Sequence, residues 1–124
     1  VIQQILQMGA DPLANPAYQR VCAERPGYQE FAESKMLRSS PAMYAAMLGQ
    51  IAHAHDRLDA MASVQVPTLV QVGALDEPFY DASIRLSERI PDAVLVIHPE
   101  AGHCPQFEAT DHWRHSLHSF LGAR

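Results

Sequence analysis

The sequence predicts an α/β chain in two parts: a helical layer over residues 1–58, then a strand–helix–strand–helix run of parallel sheet over residues 59–124. Three observations carry that prediction. The first half shows only helical periodicity. The second half holds two short β-branched runs, 66–72 and 93–97, and each run is followed by apolar residues at helical spacing.

In chain order, Ile2, Ile5 and Leu6 fall at i, i+3, i+4 ahead of Gly9, a helix with a stop. Asn15-Pro16 opens a second helical segment, which Pro26-Gly27 breaks. Tyr28, Phe31, Ala32 and Met36 make a short apolar stripe on a third. Ser40-Pro41 places an N-cap before a proline at the first helical position, and Met43, Met47 and Ile51 line one side of the helix it starts. Val66-Pro67-Thr68-Leu69-Val70-Gln71-Val72, bounded by Pro and by Gly73, reads as a strand. Ala82, Leu86 and Ile90 predict a helix closed by Pro91. Ala93-Val94-Leu95-Val96-Ile97 is a near-continuous apolar run, as for a strand buried on both faces. Trp113, Leu117, Phe120 and Leu121 predict a closing helix stopped by Gly122. Two strands joined by a helix imply a parallel crossover.

Composition bounds the function. The 124 residues are 48% hydrophobic and 19% charged, one folded domain's worth of chain. A formal charge of −5 argues against a nucleic-acid partner, and no apolar run is long enough to span a bilayer. Cys22 and Cys104 make neither a disulfide framework nor a metal-ligand spacing, which favours the cytoplasm. The first residue is Val1 rather than Met, so the chain is expected to be processed or a piece of something longer. Two parallel strands are marginal alone, so further strands are expected from a longer protein, from a partner, or from a second copy in a homodimer.

Open parallel sheets carry their working groups in loops beyond the carboxyl ends of the strands. Asp76 follows the first strand and His103 follows the second, twenty-seven residues later. Neighbouring strands lie about 5 Å apart, so the two loops can bring a carboxylate to an imidazole. An Asp accepting from Nδ1–H fixes the tautomer and leaves Nε2 as a general base. The lesser alternative for Asp76 is a turn residue, and Glu77 is the rival carboxylate. Glu108 reads as a loop brace accepting backbone N–H groups. Met43 and Met47, with Phe79 beside the acid, are candidates for an apolar substrate pocket, although such a methionine stripe also suits a core between helices. His112, His115 and His118 recur at i, i+3, i+6 and read as a solvated face with no metal. His98 is expected to hydrogen-bond locally, and Cys104 to pack.

The stretch Val66-Pro67-Thr68-Leu69-Val70-Gln71-Val72-Gly73-Ala74-Leu75-Asp76-Glu77-Pro78-Phe79 resembles the penultimate strand and acid loop of the α/β-hydrolase fold. Ala101-Gly102-His103-Cys104-Pro105-Gln106-Phe107-Glu108 resembles that family's catalytic-histidine loop, and Ser119-Phe120-Leu121 the end of its closing helix. The resemblance covers residues 56 to 122 and keeps the family's chain order of acid before histidine. It implies that Asp76 and His103 are two members of a catalytic triad and that residues 1–58 are a lid. It also implies cofactor-free hydrolysis of an ester, lactone or carbon–carbon bond in a small molecule. One family feature is missing. No G-x-S-x-G occurs, since no two of the six glycines are four apart, so this chain holds no nucleophile elbow. The chain is therefore expected to be the carboxyl-terminal part of an incomplete α/β-hydrolase fold, inactive alone. Two alternatives are a non-catalytic interaction module descended from a hydrolase, and a half that complements a separate amino-terminal half.

Overall fold

The computed structural model describes residues 16–38 and 40–122. The helix expected from Ile2, Ile5 and Leu6 lies outside the described residues, as do the side chains of Met36 and Tyr44. Contacts divide the chain into two compact units, residues 1–55 and 56–124.

The described residues of the first unit are helical. α1 spans Pro16–Glu24 and α2 spans Tyr28–Arg38. Between them the chain turns through Gly27, whose φ of +84° lies in the left-handed region that glycine enters without a Cβ penalty. The Phe31 N–H then donates to the Gly27 carbonyl at 3.0 Å and starts α2. Ala17, Tyr18, Val21 and Tyr28 are buried, and the Tyr18 and Tyr28 rings lie 5.8 Å apart in a tilted pair. α3 spans Pro41–Ala52. The Met43 N–H donates to Ser40 Oγ at 3.4 Å, with Pro41 in the first turn, so this helix begins as its sequence predicts. It ends where the His53 N–H and ring Nδ1 both reach the Gly49 carbonyl, at 3.1 and 2.7 Å. Met43, Met47 and Ile51 on α3 are all about half exposed.

The second unit is mixed helix and strand, built on a two-stranded parallel sheet. A 3₁₀ turn, Leu58–Ser63, leads into β1, Leu69–Gly73. Then follow α4 (Glu77–Arg89), β2 (Val94–His98), the single turn α5 (Pro105–Glu108) and α6 (Thr110–Gly122). β1 and β2 pair in the register Leu69–Val94 through Gly73–His98. Side chains alternate across the sheet, and Cα partners in a parallel pair share a face. Gln71, Val96 and His98 therefore point one way, and Val70, Val72, Leu95 and Ile97 the other. α4 and α6 both pack on the strands, and an exposed Arg89–Asp59 ion pair at 3.0 Å ties the end of α4 to the 3₁₀ turn.

Three sequence expectations shift. β2 is only partly covered, with Val94 46% exposed, because among the described residues it has one neighbouring strand. On α4, Ala82 faces solvent and the covered side runs instead through Ser83, Ile84, Leu86 and Ser87 to Ile90. On α6, Leu121 is 60% exposed, and Ser116 takes a place on the covered side with Trp113, Leu117 and Phe120.

Gly73 closes β1 where the chain passes closest to the loop after β2. A Cβ built there would collide with the carbonyl oxygens of Ala101 and Gly102, which are backbone and cannot swing away. Gly73→Ala is expected to destabilise the protein by about 3 kcal/mol or more. Gly49→Ala on α3 meets open space and is expected to stabilise by up to about 1 kcal/mol, since alanine is the better helix former. Urea unfolding midpoints of the two variants check this contrast in sign.

Candidate functional site

The loops leaving β1 and β2 are joined by backbone hydrogen bonds before any side chain meets. The His98 carbonyl accepts the Ala74 N–H at 2.9 Å and the Ala101 N–H at 3.2 Å, and the Ala101 carbonyl accepts the Leu75 N–H at 2.9 Å. These bonds hold residues 74–76 alongside residues 98–101. Asp76 stands at the N-cap position of α4, and its carbonyl accepts the Phe79 and Tyr80 N–H groups at 3.0 and 2.9 Å. Its side chain makes no capping bond. The carboxylate is thus not spent on the helix, as a turn-forming aspartate's would be.

Asp76 Oδ2 instead accepts from His103 Nδ1 at 3.0 Å. The aspartate side chain is 10% exposed and the histidine side chain 66%. With Nδ1 as the donor, the Nε2 lone pair is the basic site of the neutral ring. Phe79, two residues into the first turn of α4, lays its ring 4.9 Å from the imidazole at a tilt of 38°. Glu77 is exposed in that same turn, and it is Asp76 that holds the histidine. Asp76, His103 and Phe79 are therefore brought together. Met43 and Met47 lie on α3 in the other unit, 48% and 55% exposed.

Glu108 closes α5 at only 7% exposure. Its Oε2 accepts the Gly102 N–H at 2.7 Å and the Cys104 N–H at 3.1 Å, the amides on either side of His103. Hydrogen bonds to an ionised acceptor are the stronger kind, and they offset the cost of burying the carboxylate.

Behind this loop sits a polar network that the sequence did not announce. The His98 side chain is fully buried. Its Nδ1 lies 2.8 Å from His112 Nδ1, and its Nε2 lies 3.0 Å from Gln71 Oε1. Ser116 Oγ reaches the same Gln71 oxygen at 2.6 Å. Since Gln71 Oε1 is an acceptor, His98 donates through Nε2–H and accepts at Nδ1, which makes His112 Nδ1 the donor. His98 is thus bonded across to β1 and α6 rather than locally, and His112 is engaged rather than part of a merely solvated face. A polar residue at position 71 in an apolar strand, together with a histidine at the end of the next strand, was the signal available. Among the described residues no group of three or more His, Cys, Asp or Glu could hold a metal ion, and no helix is long and apolar enough to cross a membrane.

Comparisons with family models, curated proteins and solved structures find no match. The functional reading therefore rests on the resemblance in the sequence and on the geometry of this chain.

Burial, and then the neighbouring His112, hold His98 below its ordinary value of 6.5. In the unfolded chain this histidine takes a proton near 6.5, and in the folded protein only at lower pH. Its contribution to stability is therefore complete above 6.5 and is lost as pH falls from there towards the lower folded value. Stability should drop by up to about 1.4 kcal/mol per pH unit across that window. His98→Asn should flatten that drop, as read from unfolding midpoints between about pH 5 and pH 8.

Proposed function

We propose that this chain is the carboxyl-terminal part of an α/β-hydrolase that cleaves an ester, lactone or carbon–carbon bond in a small molecule through a nucleophile–His–Asp triad. The observation that carries the reading is the 3.0 Å hydrogen bond from His103 Nδ1 to Asp76 Oδ2, made between loops at the carboxyl ends of two adjacent parallel strands. In the complete enzyme His103 Nε2 takes the proton of the nucleophile's hydroxyl as its oxygen attacks the substrate carbonyl. It then returns that proton to the leaving group, and a water deprotonated by the same nitrogen afterwards displaces the nucleophile and releases the acyl group as the acid. Asp76 orients the ring and stabilises the imidazolium that forms between the two steps. Its low exposure strengthens that interaction by keeping water from the carboxylate. Phe79 flanks the imidazole with an apolar wall suited to the non-reacting part of a substrate.

The 124 residues contain no G-x-S-x-G, so the nucleophile and oxyanion donors come from an amino-terminal part of the same fold, whose strands would extend the two-stranded sheet. By the same resemblance, residues 1–58 would be the lid of that fold. No cofactor enters the reaction. The reading places the chain in the cytoplasm, where both cysteines would stay reduced.

The coding region read in frame upstream of Val1 should supply a strand, a G-x-S-x-G turn and a helix. The joined protein is expected to hydrolyse members of a panel of nitrophenyl esters, lactones and β-diketones that the 124-residue chain leaves untouched. His103→Ala and Asp76→Asn should each lower kcat on the order of 10³-fold with little change in KM. An upstream region without a nucleophile elbow, or a His103→Ala protein with undiminished turnover, would overturn the reading. A stable complex between the chain and an unrelated protein, without hydrolysis, would favour the interaction module instead.

A further inference from the structure

The geometry points to Glu108 as the positioning residue for His103: by accepting the N–H groups of Gly102 and Cys104 with one buried oxygen, it fixes the peptide from which the imidazole projects, and so directs Nδ1 at Asp76. The functional weight of this inference rests on the hydrolase reading, but its physical content does not.

His103 needs such a constraint. Its side chain is 66% exposed, and among the described residues its ring has one hydrogen bond, to Asp76, and one ring neighbour, Phe79, which is itself 52% exposed. A histidine on a loop with so little packing would sample several rotamers and both neutral tautomers. The loop around it, however, is pinned on both sides. Ala101 is fully buried, its carbonyl holds the Leu75 N–H, and its own N–H is held by the His98 carbonyl. From there the chain runs Gly102, His103, Cys104, and Glu108 Oε2 takes the first and third amides at 2.7 and 3.1 Å. Two bonds to one oxygen force these N–H groups to converge. That convergence folds the intervening residue outward and sets the direction of its Cα–Cβ bond. The clamp is anchored in turn. α5 closes behind it through the Phe107 and Glu108 N–H groups, both donated to the Cys104 carbonyl at 2.9 Å. The carboxylate that grips the Cys104 amide therefore belongs to a residue whose own amide is held by the Cys104 carbonyl. This reciprocal pair leaves the His103 peptide little freedom.

The test uses the full 124-residue chain and nuclear magnetic resonance of its backbone amides and histidine rings, comparing the wild type with Glu108→Ala and Glu108→Gln. In the wild type the Gly102 and Cys104 amides should exchange at least about tenfold slower than an open peptide, although they lie in a loop. The His103 ring should show the Nδ1–H tautomer. Glu108→Gln keeps an acceptor oxygen at the same place and should keep that tautomer. Glu108→Ala should release both amides and give a mixture of tautomers, with the α6 amides unchanged. A folded Glu108→Ala protein that keeps the Nδ1–H signature would overturn the inference. So would wild-type Gly102 and Cys104 amides that exchange like open peptide. If Glu108→Ala does not fold, the wild-type exchange rates and the Glu108→Gln ring spectrum decide, and a Gln variant with mixed tautomers on an intact fold would count against it. The hydrolase reading fails separately, on turnover by the joined protein, and its failure would leave the ring and amide results standing.

Discussion

The His98 carbonyl is the point on which this half of the protein depends. It accepts one N–H from the loop after β1 and one from the loop after β2, from Ala74 and Ala101, and so joins the two loops at the end of the sheet. A parallel strand pair can do this because both strands run the same way, so their carboxyl ends lie on the same side. Gly73 makes it possible, since any side chain there would meet the carbonyls of Ala101 and Gly102. Once the backbones are stitched together, Asp76 and His103 have little choice but to meet. Their 3.0 Å contact is less a chance pairing of two polar side chains than a consequence of where the chain is held.

The same residue does a second job with its side chain. His98 faces the side of the sheet that carries Gln71, and there it is bonded to Gln71 and to His112 of α6. A buried network of this kind is costly unless every member is paired, and among the described residues no buried side-chain nitrogen or oxygen lacks a partner. The network ties β1, β2 and α6 together through directional bonds rather than through apolar area alone. That matters for a sheet of two strands with limited hydrophobic cover. It also makes the packing sensitive to acid, because a second proton on the facing imidazoles would set two donors against each other.

Carboxylates serve three different ends within this unit. Asp59 meets Arg89 in water, where an ion pair contributes little. Asp76 is nearly buried and holds an exposed imidazole. Glu108 is buried and holds the backbone amides of Gly102 and Cys104. Environment, rather than residue type, separates these uses: the less water reaches the oxygen, the more a fixed donor can gain from it.

Much of this organisation was legible in the residues. Ser40-Pro41 marks the start of α3, Gly73 and Pro91 bound their elements, and Asp76, His103 and Glu108 sit at the positions that strand ends and a tight loop make useful. Local order of this sort follows from short-range chemistry, in which caps, prolines and alternation act within a few residues of where they stand. Other features were not legible. The sequence does not say that Gln71, His98, His112 and Ser116 share one network, that Leu121 faces solvent while Ser116 does not, or that Ala82 lies off the covered face of α4. Those depend on the rotation of each helix about its own axis against the strands. A turn of some tens of degrees changes which side chains are covered, yet leaves the apolar period of the sequence unchanged. The residues by themselves determined the order of strands and helices and which loops hold titratable groups, whereas the strand expected from Val66 begins only at Leu69 and the loop around Pro105 holds a helical turn. Only the tertiary structure decided which of those groups touch, because contact across twenty-seven residues is set by strand register and helix rotation, and neither is written in any short stretch of chain.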